Sequence, residues 1–461
     1  MSSCKTTSLL IASALFSPVV FAALSVMTTN TIQGSAPYLK INGSKVSDCE
    51  GLLWLKVNND IYEPADAPNT STTPIILPTS IAKFSDLKTI IPLGRSVNLS
   101  SIISNYAADD DGDGGFSATG TVDIKIEDDV GREITNLNDT INSCNAPYRI
   151  TLSSTSGTLS TQYGDPNTNA FAAKSATYYV KPVVTTPASC YAQPNLAYNN
   201  SGMLRLEPWN ILKGFYIEDI NGLDKNFPRT GFNNAYFNLT LQGATAAQVI
   251  AGSGSIVKAT DGRNDIKLKL TDDNGLLKVT LVGPSHATVA VVDGAHLPKT
   301  FKLKADVNGT LHTVYTFTLS KWFIAKPEDL TGADKAEDFC NSLPGYRMPS
   351  VAELTNANDD TYDWHFGLSG NTSGHYARQI GHGTKNPTAG HLVGDEKGGL
   401  FTEWGYTWKD YYTGSDFEDA TYWAKELFAG THQYNVRSND GYVHYEFSTH
   451  NGYKAVCVIG G

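Results

Sequence analysis

The sequence is short of charge, of sulfur and of long apolar runs. Charged residues make up 18% of its 461 positions, below the usual quarter, and no cluster of lysine or arginine interrupts a formal net charge of −11. Without a basic stripe the chain cannot track phosphates, which excludes nucleic acid as a partner. Acidity of this size serves solubility and says little more. Beyond the N-terminus no run approaches the roughly 17 to 25 apolar residues of a membrane helix. No HExxH or other helical histidine pair occurs, and no serine, cysteine or histidine stands in a nucleophile motif, so an enzyme reading has no support.

What is plentiful is glycine, serine, threonine, asparagine and tyrosine, while methionine occurs four times, a balance that favours exported β-rich domains. Residues 1–22 read as a secretory signal: Lys5 in a short n-region, an apolar run from Leu9 to Phe21, and Val20 with Ala22 satisfying the cleavage rule. Cleavage is expected after Ala22. The run is short and broken by Ser13, Ser17 and Pro18, unlike a membrane anchor, and Cys4 precedes it and cannot be a lipid-attachment cysteine after it. The mature chain is expected to be soluble after export.

That leaves Cys49, Cys144, Cys190, Cys340 and Cys457, an odd number for an oxidising compartment. Cys340 with Cys457 is the first expected pair and Cys144 with Cys190 the second, because both of the latter flank strands of one domain. Cys49 is the expected leftover.

At this length about three domains are expected. Residues 23–200 carry short strands and no long helical period; Val122, Ile124 and Ile126 alternate with Asp123, Lys125 and Glu127. Within them Asp109, Asp111 and Asp113, with Gly112 and Gly114, match the start of a calcium loop. The twelfth position is Gly120, where a bidentate glutamate is needed. Two readings stay open: a structural calcium on these three carboxylates, or a solvated acidic turn. No cofactor is required. Residues 201–320 alternate more cleanly, at Phe237/Leu239/Leu241, Ile266/Leu268/Leu270, Leu277/Val279/Leu281, Phe301/Leu303/Ala305 and Tyr315/Phe317/Leu319. Turns at Asn274–Gly275 and Asn308–Gly309 separate some of them. This predicts an immunoglobulin-like β-sandwich without a cysteine. It leads straight into Trp322 and Phe323, which predicts a stiff joint and a spacer role.

Residues 321–461 read as an α+β module. Ala333, Ala336, Cys340 and Leu343 fall at helical spacing behind Thr331 and Asp334, Pro344–Gly345 stops the helix, and Ser350 with Glu353 forms a second capping box. Tyr434/Val436 and Val443/Tyr445/Phe447 alternate around an Asn439–Gly441 turn, and Asn451–Gly452 turns into a last strand from Tyr453 to Val458. Two helices, a long loop-rich middle, a terminal meander and a helix-to-last-strand bond describe a C-type lectin-like fold. The chain as a whole is therefore expected to be mainly β.

Residues 358–400 lack apolar periodicity, and a loop of that length is usually functional or disordered. The candidate ligand-binding residues are Trp364, His365 and Phe366 in that loop, with Trp408, Tyr411 and Tyr412 as a second aromatic group. Core packing competes for both tryptophans, while Trp404 and Trp423, on strand-like segments, are assigned to the core. Seven of the ten histidines lie in this module, in turns that favour exposed loop positions over metal ligation. Gln193-Pro194-Asn195 resembles a lectin sugar motif but lies outside the module, and Ser438-Asn439-Asp440 has no proline-flanked partner. Protein recognition or calcium-free sugar contact is expected there.

Several stretches resemble the invasin/intimin-type bacterial adhesins: NTIQGSAPYL from Asn30, the acidic run Asp109–Gly114, CNAPY from Cys144, Tyr178–Val180 and Cys190. YRMP from Tyr346, ELTNA from Glu353, FTEWGY from Phe401, Tyr422–Trp423 and Ala455–Cys457 continue the likeness in the last module, with Trp322–Phe323 before them. The resemblance implies immunoglobulin-like modules capped by a C-type lectin-like domain, a location secreted or at the bacterial cell surface, and a host cell-surface protein or glycan as partner. Those adhesins usually carry a peptidoglycan-binding module and a β-barrel ahead of this region. Here it begins directly after the signal, so release, a separate outer-membrane anchor or a short paralogue are the alternatives. The Tyr346–Leu354 stretch also looks similar to formylglycine-generating enzymes, whose reactive cysteines have no counterpart here. Two rival functions remain: a calcium-independent carbohydrate-binding module, and a structural or assembly protein binding another bacterial surface component.

Overall fold

The computed structural model describes residues 34–41, 43–46, 49–64, 70–195, 209–217, 219–223, 225–288, 295–368, 374–381 and 399–461. The signal segment, His382 and His391 lie outside them. The chain is mainly β, in many small sheets, and divides into two compact units. The first comprises Met1–Thr140 and Pro147–Val180, the second Ile141–Ala146 and Lys181–Gly461. The boundaries expected at 200 and 320 both fall inside the second unit.

The first unit is organised by a five-stranded sheet in the order Ile75–Leu77, Lys174–Pro182, Tyr148–Ser154, Thr121–Glu127, Ser96–Asn98, its last four strands antiparallel. Its alternation is the one read from the sequence: Val122, Ile124 and Ile126 point inward with Ile150, Leu152, Tyr178 and Val180, all buried. The Tyr178 hydroxyl donates to the carbonyl of Leu53, tying the sheet to the preceding loop. Cys49 is a buried thiol here, as expected outside both disulfides.

In the second unit a seven-stranded sheet runs Trp209–Asn210, Gly214–Tyr216, Ala188–Pro194, Tyr236–Gln242, Leu276–Val282, Lys267–Asp273, Ile256–Lys258. The hairpin Lys299–Val307/Thr310–Leu319 supplies the other layer of an immunoglobulin-like sandwich. Phe237 meets Tyr315 and Phe317 edge-on at 6.2 and 5.8 Å, and Phe317 stacks on Phe301 at 5.3 Å. Packing holds these layers together, at about 1.5 to 3 kcal/mol for each buried ring or aliphatic side chain. The turns at Asn274 and Asn308 have φ of 54°, the left-handed geometry asparagine tolerates ahead of glycine. A helix, Ala246–Ser253, capped by a Thr245–Gln248 box, was not visible in the strand pattern.

The C-terminal α+β module shares this unit's core. Strand Thr230–Phe232 runs parallel to Lys321–Ala325, which pairs antiparallel with the last strand, Val456–Gly460. Buried residues from Ala192 to Val458 form one apolar cluster. Glu403 joins the two modules through a fully buried carboxylate that accepts from the amides of Arg229 at 3.0 Å and Thr230 at 2.7 Å, and from the Thr230 hydroxyl at 2.5 Å. Beside it the Trp404 indole donates to the Thr230 carbonyl at 3.0 Å. Burial pushes the Glu403 carboxyl up to about 7 in spite of these donors.

Both expected disulfides are present, Cys144–Cys190 and Cys340–Cys457. The first lies wholly within the second unit, since Cys144 sits in the 141–146 segment and Cys190 in strand Ala188–Pro194. The second joins helix Ala333–Ser342 to the last strand across 117 residues, a closure worth about 4 to 5 kcal/mol in the chain-entropy account. Three local readings need correction. The helix is capped by Gly332, with φ of 119° and no side-chain bond, so the Thr331 box does not form; Thr331 instead pairs with Asn451 in a separate short sheet. Trp404 belongs to a helix, Leu400–Trp404, and not to a strand. The final strand starts at Val456, because Asn451–Tyr453 is taken up by that other pairing.

Candidate binding site

The terminal meander consists of Thr421–Ala429, His432–Arg437 and Val443–Phe447. Its register places His432 opposite Phe447, Tyr434 opposite Tyr445 and Val436 opposite Val443, so the period-2 alternation brings aromatic rings together on one face. Phe428 stacks flat on Tyr445, centroids 3.9 Å apart and planes at 4°. His432 contacts Phe447 at 4.2 Å and Tyr445 at 5.6 Å. Tyr434 then hands the row to Trp364 at 5.0 Å, and Trp364 to Phe366 at 5.1 Å. The result is a continuous belt of rings across the sheet and onto the adjoining loop. Its two ends stand in solvent: Phe366 is 64% exposed and Phe447 55%.

The loop end is held firmly. Asp359 and Trp364 exchange backbone hydrogen bonds of 2.9 Å in both directions, the Asn358 side chain accepts from Gly367 and donates to Leu368, and the Tyr434 hydroxyl donates to the Asp363 carbonyl at 3.2 Å. Asp359, itself buried, accepts through one oxygen from the Thr361 amide and faces His375 Nδ1 with the other at 2.7 Å. Arg378, fully buried, donates to the carbonyls of Ser438 and Asn439 and so fixes the hairpin turn against segment 374–381. The exposed rings are thus presented from rigid backbone.

Negative charge surrounds that end. Asp360 and Asp363 are exposed, with His365 Nε2 at 3.8 and 3.3 Å from their oxygens. Burial, then the charge of Asp363 and more weakly of Glu426, pushes the Tyr434 phenol up to about 12.

The sequence candidates separate cleanly. His365 and Phe366 are exposed, and Trp364 is buried beneath them. Trp408 and Tyr412 are buried and Tyr411 half-buried. Tyr412 packs against Phe232, Tyr236 and Trp404, and its hydroxyl accepts from the Asn195 amide, while the Tyr411 carbonyl accepts from the Asn195 side chain. These aromatics build the junction between the modules. Trp404 and Trp423 are in the core as expected. Sequence reasoning missed Phe428, Tyr445 and Phe447 as a contact surface and read His432 only as an exposed turn histidine; the alternation of Tyr445 and Phe447 was the only visible sign of the belt.

In the first unit the Asp109 carboxylate accepts from the Ser35 hydroxyl and Asp111 from the Ser35 amide, both at 2.8 Å. Asp110 turns to Tyr38 and Lys45. Burial, with the charges of Asp111 and Asp109, pushes the Asp113 carboxyl up. Among the described residues no group of three or more His, Cys, Asp or Glu side chains is arranged to hold a metal ion. No helix among them is long and apolar enough to cross a membrane.

No family model matches the chain, and no curated protein matches it. Among solved structures it is similar to one titled as the crystal structure of invasin, a bacterial integrin-binding protein, at 15% identity and a TM-score of 0.34. The match covers 77% of this chain and 53% of the other, so the chain spans about half the length of that protein. A chimeric titin Z1Z2 tandem is similar at 11% identity and a TM-score of 0.13, over 45% of this chain and 91% of the other.

Proposed function

We propose that the protein is an exported bacterial adhesin whose C-terminal lectin-like module binds a host cell-surface ligand, with the preceding β domains as spacer and no catalysis. One observation carries the reading: an aromatic belt on the terminal sheet that ends in exposed Phe366 and Phe447. Large rings in solvent cost solubility unless a partner covers them, and aromatic residues dominate interface energies. Two disulfides fit export to an oxidising compartment. The sequence resemblance to invasin/intimin-type adhesins points the same way.

The test is binding of the full chain to cultured epithelial cells by flow cytometry, wild type against Phe366→Ala/Phe447→Ala. Both side chains are exposed, so the double variant should fold normally and lose cell binding. Equal binding by both proteins would remove the belt from the function. Binding to a panel of neutral glycans, lost in the same variant, would favour the carbohydrate-binding reading, because a flat ring also stacks on a sugar face. Binding to bacterial envelope preparations alone would favour the assembly reading.

A further inference from the structure

The belt differs from a neutral apolar patch in its charge. Its loop end carries exposed Phe366, and the exposed carboxylates of Asp360 and Asp363 lie 3.8 and 3.3 Å from Nε2 of the neighbouring His365. Aromatic faces carry negative quadrupoles, and carboxylates beside them add to the same potential. A surface of this kind attracts a cation on both counts, whereas it repels sulfated or sialylated sugars and gives a neutral sugar only stacking.

We propose that the belt recognises a basic segment of a partner protein, with arginine or lysine side chains laid over the exposed rings of Phe366 and Phe447 and paired with Asp360 and Asp363. This rests on the adhesive reading above and narrows it to a cationic protein ligand. A guanidinium suits the site because it stacks on a ring while its edge donates to carboxylates. Phe366 and both carboxylates stand exposed on one short loop, 360–366.

The experiment measures binding of the full chain by biolayer interferometry to immobilised octa-arginine, octa-glutamate and chitohexaose. Octa-arginine should bind and weaken as salt rises. Phe366→Ala should weaken it about tenfold, the scale of one partly desolvated cation–π contact, and Asp360→Asn/Asp363→Asn should do likewise. A charge-matched control, Asp129→Asn/Asp273→Asn, removes two exposed carboxylates away from the belt and should bind as wild type. Equal loss in the control would mean attraction to net charge alone and would overturn the proposal, as would tighter binding to octa-glutamate or chitohexaose. Cell binding separates the two levels. If Phe366→Ala/Phe447→Ala abolishes it while Asp360→Asn/Asp363→Asn leaves it intact, the adhesive reading stands and the cationic ligand falls.

Discussion

Glu403 makes stability of the second unit depend on pH near neutrality. Its carboxyl is raised from 4.5 to about 7 by burial, so the folded state holds a proton that the unfolded chain releases at lower pH. The contribution is therefore fully present below about pH 4.5 and lost as pH rises through about 7. The difference of about 2.5 pH units, at about 1.36 kcal/mol each, gives about 3 kcal/mol. Urea unfolding followed by tryptophan fluorescence suits the question, because Trp209, Trp322, Trp364, Trp404, Trp408 and Trp423 all lie in that unit and Trp54 alone in the other. Between about pH 8 and pH 4 the wild type should gain about 3 kcal/mol more than Glu403→Gln. The comparison of slopes matters more than absolute stability, since the glutamine amide turns a donor toward the Arg229 amide. Parallel lines for the two proteins would refute the reasoning and mean that the Arg229 and Thr230 donors keep Glu403 ionised.

The opposite sign holds at Glu353. Burial pushes its carboxyl up, but the two-pronged Arg347 pair and the Ser350 amide outweigh it and leave the group below its ordinary 4.5. Its stabilisation is present above that value and lost as pH falls through the lowered one, so Glu353→Gln should flatten the acid limb of a stability–pH curve. An unchanged limb would count against the pair. Trp364→Ala should cost about 3 to 5 kcal/mol as a core truncation, and Phe366→Ala within about 0.5 kcal/mol; calorimetry on both checks the division between support and contact surface. Reducing Cys340–Cys457 should lower stability by about 4 to 5 kcal/mol, read by urea unfolding of Cys340→Ala/Cys457→Ala; a change under 1 kcal/mol would mean that the reduced chain stays ordered on its own. Millimolar calcium should leave the melting temperature unchanged while Ser35 engages Asp109 and Asp111. A rise that Asp111→Asn abolishes would favour structural calcium, the other open reading.

Elements written in local pattern were legible. The helix that carries Cys340 shows its apolar face at 333, 336 and 340, and the strand that carries Cys457 is a short apolar run, so their bond could be read before any coordinates. Trp408 and Tyr412 were misread because nothing local distinguishes an aromatic in an interface loop from one buried at a junction. The burial of Tyr412 depends on Phe232, Tyr236 and Asn195, which lie far away in the chain, and Trp408 packs on Tyr406 and Tyr411 beside it. The parallel pairing of Thr230–Phe232 with Lys321–Ala325 is likewise non-local. It explains why the expected boundary at 320 falls inside one core. The belt was half legible: alternation predicted which residues share a face, but exposure of that face is decided by what packs on it. Here the loop carrying Trp364 covers one end and leaves Phe447 open.

Hydroxyl-radical footprinting of the full chain, free and bound to epithelial cells, maps the covered surface without any substitution. Phe366, Tyr445 and Phe447 should lose reactivity on binding, while Tyr163 and Leu276, exposed elsewhere at 65% and 47%, should keep theirs. Protection at those outlying positions with the belt still reactive would contradict the account.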